Sequence, residues 1–280
     1  MGRMRTKLGR DVETYSTEKD VNDLRRQFLE DLERIDWTDL YDPRDVQRLK
    51  DDDFYCKRFI RHQHGDMDAA VEMVKNTFKW RKEKIYLSET NINPDIVKVG
   101  AVFSYNTDKE GNTLLVLRVN CHRKDPVTMP ERKKIVAYWV EKVDKEGKGE
   151  AVSVLMDCSN TSLANMDVDF TVYLISLFTT YYPALIGNIY VLEMPWIMNT
   201  CWKIIKTLLP SSARERIKFL TKSSFSEFLD PKDLPPHLGG TCPREYAPAQ
   251  LPTYENDEIP SSGERKNSVV STGEGRDQKA

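Results

Sequence analysis

Between Tyr181 and Leu209 the sequence passes from a helix end to an apolar strand and then to a helix with almost no polar face, a succession few folds can accommodate. Tyr181, Tyr182 and Pro183 close a helical segment, and Ile189, Tyr190, Val191 and Leu192 form the strand. Met194, Pro195 and Trp196 break the chain before a helix that starts near Asn199 and stops at Pro210. Cys201, Trp202, Ile204, Ile205, Leu208 and Leu209 make its apolar band wider than one packed stripe, leaving only Lys203 and Lys206 for water. Such a helix needs a cover on nearly every side, and we read it as the movable wall of an apolar cavity.

The surrounding pattern sets the fold class. Val99 to Tyr105 and Leu114 to Val119 are two β-type runs joined by the turn cluster Asp108, Lys109, Glu110, Gly111, Asn112, which predicts a hairpin. Pro130 to about Lys145 then carries Ile135, Val136, Tyr138, Trp139 and Val143 at helical spacing. Strand and helix alternate from there: Val152 to Met156, a helix from about Asp169 to Thr180, Ile189 to Leu192, the apolar helix, and Ile217 to Leu220. The later strands are continuous apolar runs, the pattern of strands covered on both faces, so the class is an α/β sandwich with a mostly parallel sheet.

The chain ahead of this region reads as helical. A helix start at Thr17, Glu18, Lys19, Asp20 precedes Val21, Leu24, Phe28, Leu32 and Ile35 at three- and four-residue spacing. Asp42 and Pro43 open a second helix with Val46 and Leu49 inward; Asp51, Asp52 and Asp53 sit where the dipole of a third favours acids. Gly65 and Asp66 end that helix and cap a fourth. The expected organisation is a disordered basic lead-in over 1–16, a helical subdomain over 17–90, the α/β domain over 91–243, and a disordered tail over 244–280. Leu234, Pro235, Pro236, His237, Leu238, Gly239, Gly240 reads as a rigid closing turn, and in the tail Arg265, Lys266, Asn267, Ser268 is a short pattern a basic-directed kinase could use.

Composition removes several function classes. The 42 basic and 44 acidic residues nearly cancel, to a formal charge of −2, which does not recruit nucleic acid. Five widely separated cysteines suit reduced thiols in the cytosol, and no window reaches the ~18 apolar residues of a membrane span. A monomer inside the cell, with no cofactor and no metal, is the expectation.

Candidate catalytic features are weak. Asp167, Val168, Asp169, Phe170, Thr171 matches an Asp-x-Asp-x-Thr phosphatase box, but that chemistry needs its first aspartate at the end of a buried strand. Here the following residues are helical, so the two aspartates read as an N-cap and a first-turn acid. His62 and His64 do not share a helix face, His122 and His237 fall in loops, and none has a partner for metal or base duty. The Asp157, Cys158, Ser159 step reads as a strand-to-loop turn, and neither a Gly-x-Ser-x-Gly elbow nor a Gly-rich phosphate loop is present. Arg58, Arg61, Lys75, Lys79, Arg81, Lys82 and Lys84 read as a solvated helical surface or, alternatively, as a surface for anionic lipid head groups.

Several linked motifs resemble one family. Arg58, Phe59, Ile60, Arg61 with Phe78, Lys79, Trp80, Arg81 resembles the helical amino-terminal region of the CRAL-TRIO (Sec14-like) lipid-binding proteins. Tyr182, Pro183, then Ile189, Tyr190, Val191, then Met194, Pro195, Trp196, and finally Leu234, Pro235, Gly239 and Gly240 resembles the body of their lipid-binding domain. The resemblance covers roughly residues 20–242 and is nearest to a branch whose members continue into a major sperm protein domain and a membrane anchor, neither of which is among these 280 residues.

The resemblance implies a pocket between a sheet floor and a gate helix, here residues 199–209, that opens at a membrane to exchange a lipid or other hydrophobic molecule. Trp196, Trp202, Ile205, Leu208 and Leu209 would be gate and wall; Tyr173, Leu174, Leu177, Phe178, Leu192 and Met194 are the other pocket candidates, with Lys203 and Lys206 toward the membrane. Phosphatidylinositol-handling members place a glutamate directly after the Tyr-Pro pair and a lysine before the last strand. Ala184 and Arg216 stand there, so weak or no phosphatidylinositol selectivity is expected. The rival expectation is a non-catalytic interaction module whose pocket is filled by its own side chains.

Overall fold

The computed structural model describes residues 16–84, 94–147, 150–209 and 211–244. The expectations for the lead-in, the tail, Ser268, the stop at Pro210 and the boundary near residue 90 lie outside them.

Four helices form the first layer: α1 (Glu18–Leu32), α2 (Pro43–Asp51), α3 (Asp53–His62) and α4 (Met67–Lys84). α1 opens with a reciprocal cap, in which the Asp20 backbone donates to Thr17 Oγ1 (3.3 Å) and the Thr17 backbone to Asp20 Oδ2 (2.7 Å). Asp42 and Asp52 cap α2 and α3 by accepting from the Arg44 and Tyr55 amides. Val21, Leu24, Phe28 and Leu32 are buried as their spacing requires, but α1 ends at Leu32, so Ile35 lies beyond it and is exposed. Phe28 and Phe78 meet edge-on at 5.4 Å in the centre of this layer.

The helical layer is fastened to the rest by buried charge. Arg81, 1 % exposed, donates to Asp45 Oδ1 (2.8 Å) and to both Glu141 oxygens (2.6 and 2.7 Å), and Tyr182 Oη adds a bond to Glu141 (2.9 Å). Arg58 pairs with Asp144 and donates to the Pro183 carbonyl (2.8 Å), while Arg48 also reaches Asp144 (2.9 Å). Arg58 and Arg81 are therefore part neither of a solvated surface nor of a head-group surface, as the sequence had suggested. Their partners Asp144 and Glu141 lie 86 and 60 residues away.

After the short helix α5 (Pro94–Lys98), which the sequence reading missed, come β1 (Val102–Thr107), β2 (Thr113–Arg118), α6 (Met129–Glu146), β3 (Val152–Asp157), α7 (Val168–Ser176), β4 (Ile186–Leu192), α8 (Asn199–Leu208), α9 (Ser211–Glu215) and β5 (Ile217–Leu220). β1 and β2 form the expected hairpin, and β2 to β5 run parallel in the order β1-β2-β3-β4-β5. The helix expected to reach Thr180 stays α-helical only to Ser176, then widens into a π-type turn over Leu177–Tyr181. The Tyr182 amide closes that turn on the Leu177 carbonyl (2.8 Å) just before Pro183, which disfavours further helix.

Alternation along the strands divides the sheet. Leu115, Val154 and Ile189 are register partners on one face, and Val116, Leu155 and Tyr190 on the other. On the second face Tyr190 meets Phe228 of the carboxy-terminal segment at 5.9 Å, and its hydroxyl donates to the buried Asp108 (3.0 Å). Asp108 Oδ2 also takes bonds from Ser153 (2.6 Å) and Asn112 (3.1 Å), so the hairpin turn is pinned to the neighbouring strand.

Candidate ligand-binding cavity

On the first face of the sheet α6 packs directly against β1 and β2, but the helices do not close down over β3 and β4. Between them lies a cavity of about 760 Å³, within the ~300–1,000 Å³ usual for small-molecule sites. Val154, Met156, Ile189 and Val191 form its floor. A register shift between Val152 and Val154 opposite β4 turns Ile186 to the same side as Ile189, although they are three residues apart.

The walls come from all three helices that follow β2, β3 and β4. α6 contributes Ile135 and Val136, α7 and its π-type turn contribute Phe170, Leu174, Ile175 and Phe178, and α8 contributes Trp202 and Ile205, with Leu209 just past its end. α7 is strongly apolar, yet none of its residues is fully buried, because the face that would enter a packed core borders the cavity instead.

The eleven anticipated pocket residues divide by geometry. Leu174, Phe178, Met194, Trp202, Ile205 and Leu209 line the cavity. Leu192 does not, since it stands one residue from Val191 and so faces the opposite side with Tyr190. Leu177 is enclosed in the core, and the Tyr173 hydroxyl is turned to the Lys133 carbonyl (3.0 Å). Trp196 is 81 % exposed and Leu208 44 % exposed, both outside the cavity. α8 is therefore not covered on nearly every side. Ile204 and Leu208 face out beside the exposed Lys203 and Lys206, and Trp202 meets the half-exposed Phe219 edge-on at 5.1 Å.

Two polar regions lie at opposite ends of the parallel strands. One contains Arg61, His62, Thr179, Ala184 and Arg216; Ala184 has φ +50° and Arg216 donates to the Ile186 carbonyl. Burial lowers the His62 pKa below its ordinary value. The other contains His122, Arg132, Asn165 and Asp167. His122 Nε2 stands 3.2 Å from Asp167 Oδ2, so one histidine thought to lack a partner has a carboxylate 45 residues away. Burial pulls the His122 pKa down and Asp167 pulls it partly back. Sequence reasoning overlooked Arg132 and set His122 aside because no local spacing links either to its neighbours.

Asp167 caps α7 through the Phe170 amide (3.0 Å), as its position in the sequence predicted, and Asp169 is exposed. Cys158 also borders the cavity, but burial pushes its thiol up to about 12, so it is not a thiolate near neutrality. Among the described residues no cluster of three or more His, Cys, Asp or Glu side chains is placed to hold a metal, and no helix is long and apolar enough to cross a membrane.

Comparison with known proteins places this geometry. The profile of the family described as CRAL/TRIO domain matches residues 98–240. The CRAL-TRIO domain-containing protein C3H8.02 of Schizosaccharomyces pombe is 25% identical over 216 residues, covering 72% of this chain and 48% of that protein. The phosphatidylinositol transfer protein CSR1 of Eremothecium gossypii is 27% identical over 199 residues, covering 65% and 46%. The Sec14 cytosolic factor of Schizosaccharomyces pombe is 24% identical over 219 residues, covering 68% and 75%. The chain thus spans about half the length of the first two relatives. The crystal structure of Sfh5 superposes with a TM-score of 0.55 at 14% identity, covering 79% of this chain and 84% of that one, a likeness of fold.

Proposed function

We propose that this chain, which belongs to the CRAL/TRIO domain family, carries one lipid or other small hydrophobic molecule in the cavity and exchanges it at a membrane by outward movement of α8. One observation carries the reading: apolar side chains from a sheet face and three helices converge on a shared volume that none of the described side chains fills. A self-filled interaction module would pack that volume at interior density. Transfer suits such a cavity energetically. Passing a sixteen-carbon chain through water costs about 12 kcal/mol at ~0.8 kcal/mol per methylene, and a closed apolar wall removes most of that barrier. No group in this reading has catalytic work to do.

α8 suits the gate role because it is apolar on two sides. Trp202 and Ile205 face the cargo, while Ile204 and Leu208, flanked by Lys203 and Lys206, suit the apolar and anionic layers of a membrane surface. Trp196 stands at the entry to the same helix as an interfacial anchor. Weak phosphatidylinositol selectivity remains part of the proposal. One relative is named for that lipid, but Ala184 brings no carboxylate to accept from inositol hydroxyls.

Mass spectrometry of the organic extract from natively purified protein, repeated after incubation with mixed liposomes, tests the carrier. One lipid at near-equal molar amount supports it, and no lipid in either extract rejects it. Hydrogen exchange with and without liposomes tests the gate, since protection should change over residues 196–209 in wild type and much less in Trp196→Ala.

A further inference from the structure

The cavity wall holds a cation with no acid paired to it. Arg132, in the first turn of α6, donates from Nε to Thr128 Oγ1 (3.2 Å) and from Nη1 to the Cys121 carbonyl (3.2 Å), both neutral acceptors. Among the described residues it forms no ion pair: Asp125, the acid its charge acts on, accepts instead from Thr128 Oγ1 (2.7 Å), and the Arg132 Nη2 group is uncommitted. A guanidinium on an apolar wall is costly unless an anion reaches it, and its planar fork matches a carboxylate.

His122 lies beside it. The ring is 9 % exposed, stacks on Phe170 at 4.4 Å and 11°, and directs Nε2 to Asp167 Oδ2, which leaves Nδ1 without a partner among the described residues. The charges facing this imidazole are Asp167, Arg132 and Arg123, and Arg123 is exposed and donates to the Asn120 and His122 carbonyls. The opposite polar end is less available, because Arg61 and Arg216 both have partners already.

We propose that the cargo is a long-chain monocarboxylic acid whose carboxyl group sits between Arg132 Nη2 and His122 Nδ1; this rests on the carrier reading above. The charges balance. With Asp167 ionised and Arg132 charged, a neutral acid entering from a bilayer gives its proton from the carboxyl oxygen to Nδ1. The resulting carboxylate and Asp167 then face two cations, so no net charge is added to the site. A phosphomonoester brings up to two negative charges and overfills it.

Displacement of the neutral dye Nile red from the full chain by oleate, oleyl alcohol, methyl oleate and oleoyl lysophosphatidate is the test. The acid should displace the dye at a concentration at least about tenfold below the alcohol and the ester, as a charge-assisted hydrogen bond implies. In Arg132→Met that gap should close while the alcohol's own value holds, which shows an intact cavity; Arg132→Lys should keep part of it. Oleate binding by wild type should take up one proton, read from titrations in buffers of different ionisation enthalpy, and His122→Gln should take up none. Equal displacement by acid, alcohol and ester overturns the proposal and leaves the carrier standing, as does an Arg132-dependent preference for lysophosphatidate. No binding of dye or any lipid overturns both.

Discussion

Replacing Arg81 with methionine should weaken the whole molecule, because this one side chain neutralises Asp45 on α2 and Glu141 on α6 at once. All three are about 1 % exposed, so removing the cation leaves two carboxylates in a poorly hydrated place. Breaking a buried pair this way costs ~3–5 kcal/mol. Lys145 (3.2 Å) and Tyr182 stay with Glu141, which points to the lower end. At a slope of ~3 kcal/mol/M the urea midpoint falls by about 1 M. The loss should depend on pH. Burial alone would raise the Glu141 carboxyl, but the charge and two hydrogen bonds of Arg81 outweigh it and hold the group well below the usual range. A carboxylate with a depressed folded pKa contributes its full stability above the unfolded value, about pH 4.3, and loses it as pH falls further. The difference between wild type and Arg81→Met should therefore be full at pH 7 and clearly smaller at pH 3.5. A difference under about 0.5 kcal/mol at pH 7, or one as large at pH 3.5, would refute the claim that this buried charge holds the two layers together.

Other substitutions probe the sheet, the turns and the cap. Ile189→Trp enters the cavity and should leave the unfolding midpoint within about 1 kcal/mol while Nile red binding falls; Leu192→Trp, on the packed face, should cost ~1–3 kcal/mol and spare binding. Equal effects would show that the two faces are not divided as described. In Gly240→Ala the new methyl would lie 2.0 Å from the Leu234 carbonyl oxygen, so thermal unfolding should show a loss well above that of Gly111→Ala, where φ is +89° and nothing lies within 4 Å. Gly111→Ala should cost only about 1 kcal/mol. Asp167→Ala should cost ~1–2 kcal/mol by removing the α7 cap, and Asp167→Asn less, because asparagine still accepts from the Phe170 amide; equal losses in urea titrations would assign the effect to the His122 contact instead.

What could be read in the sequence was what short-range chemistry decides. Thr17 and Asp20, Asp42 with Pro43, and Asp167 announce helix starts through side chains within three residues of the amides they satisfy. The alternation of apolar strands with helices implied the parallel sheet. Strand membership was legible at Leu192, but not its side, because a register shift and a one-residue step decide that only in the folded sheet. Arg58 and Arg81 looked like solvated helix residues because Asp144 and Glu141 come from another helix. His122 and Arg132 gave no signal, since an uncommitted nitrogen shows only when the surrounding loops are folded.

The alternating faces of the sheet also bear on how such a protein can change. Leu155, Tyr190 and Leu192 hold the sheet to its hydrogen-bonded and apolar backing, while Val154, Met156, Ile189 and Val191 border the cavity. A mutation in the second set alters the shape of the cavity more than the packing of the backing. Successive residues of one strand thus stand in different surroundings. A lineage with this architecture can reshape the cavity one substitution at a time, each intermediate still folded.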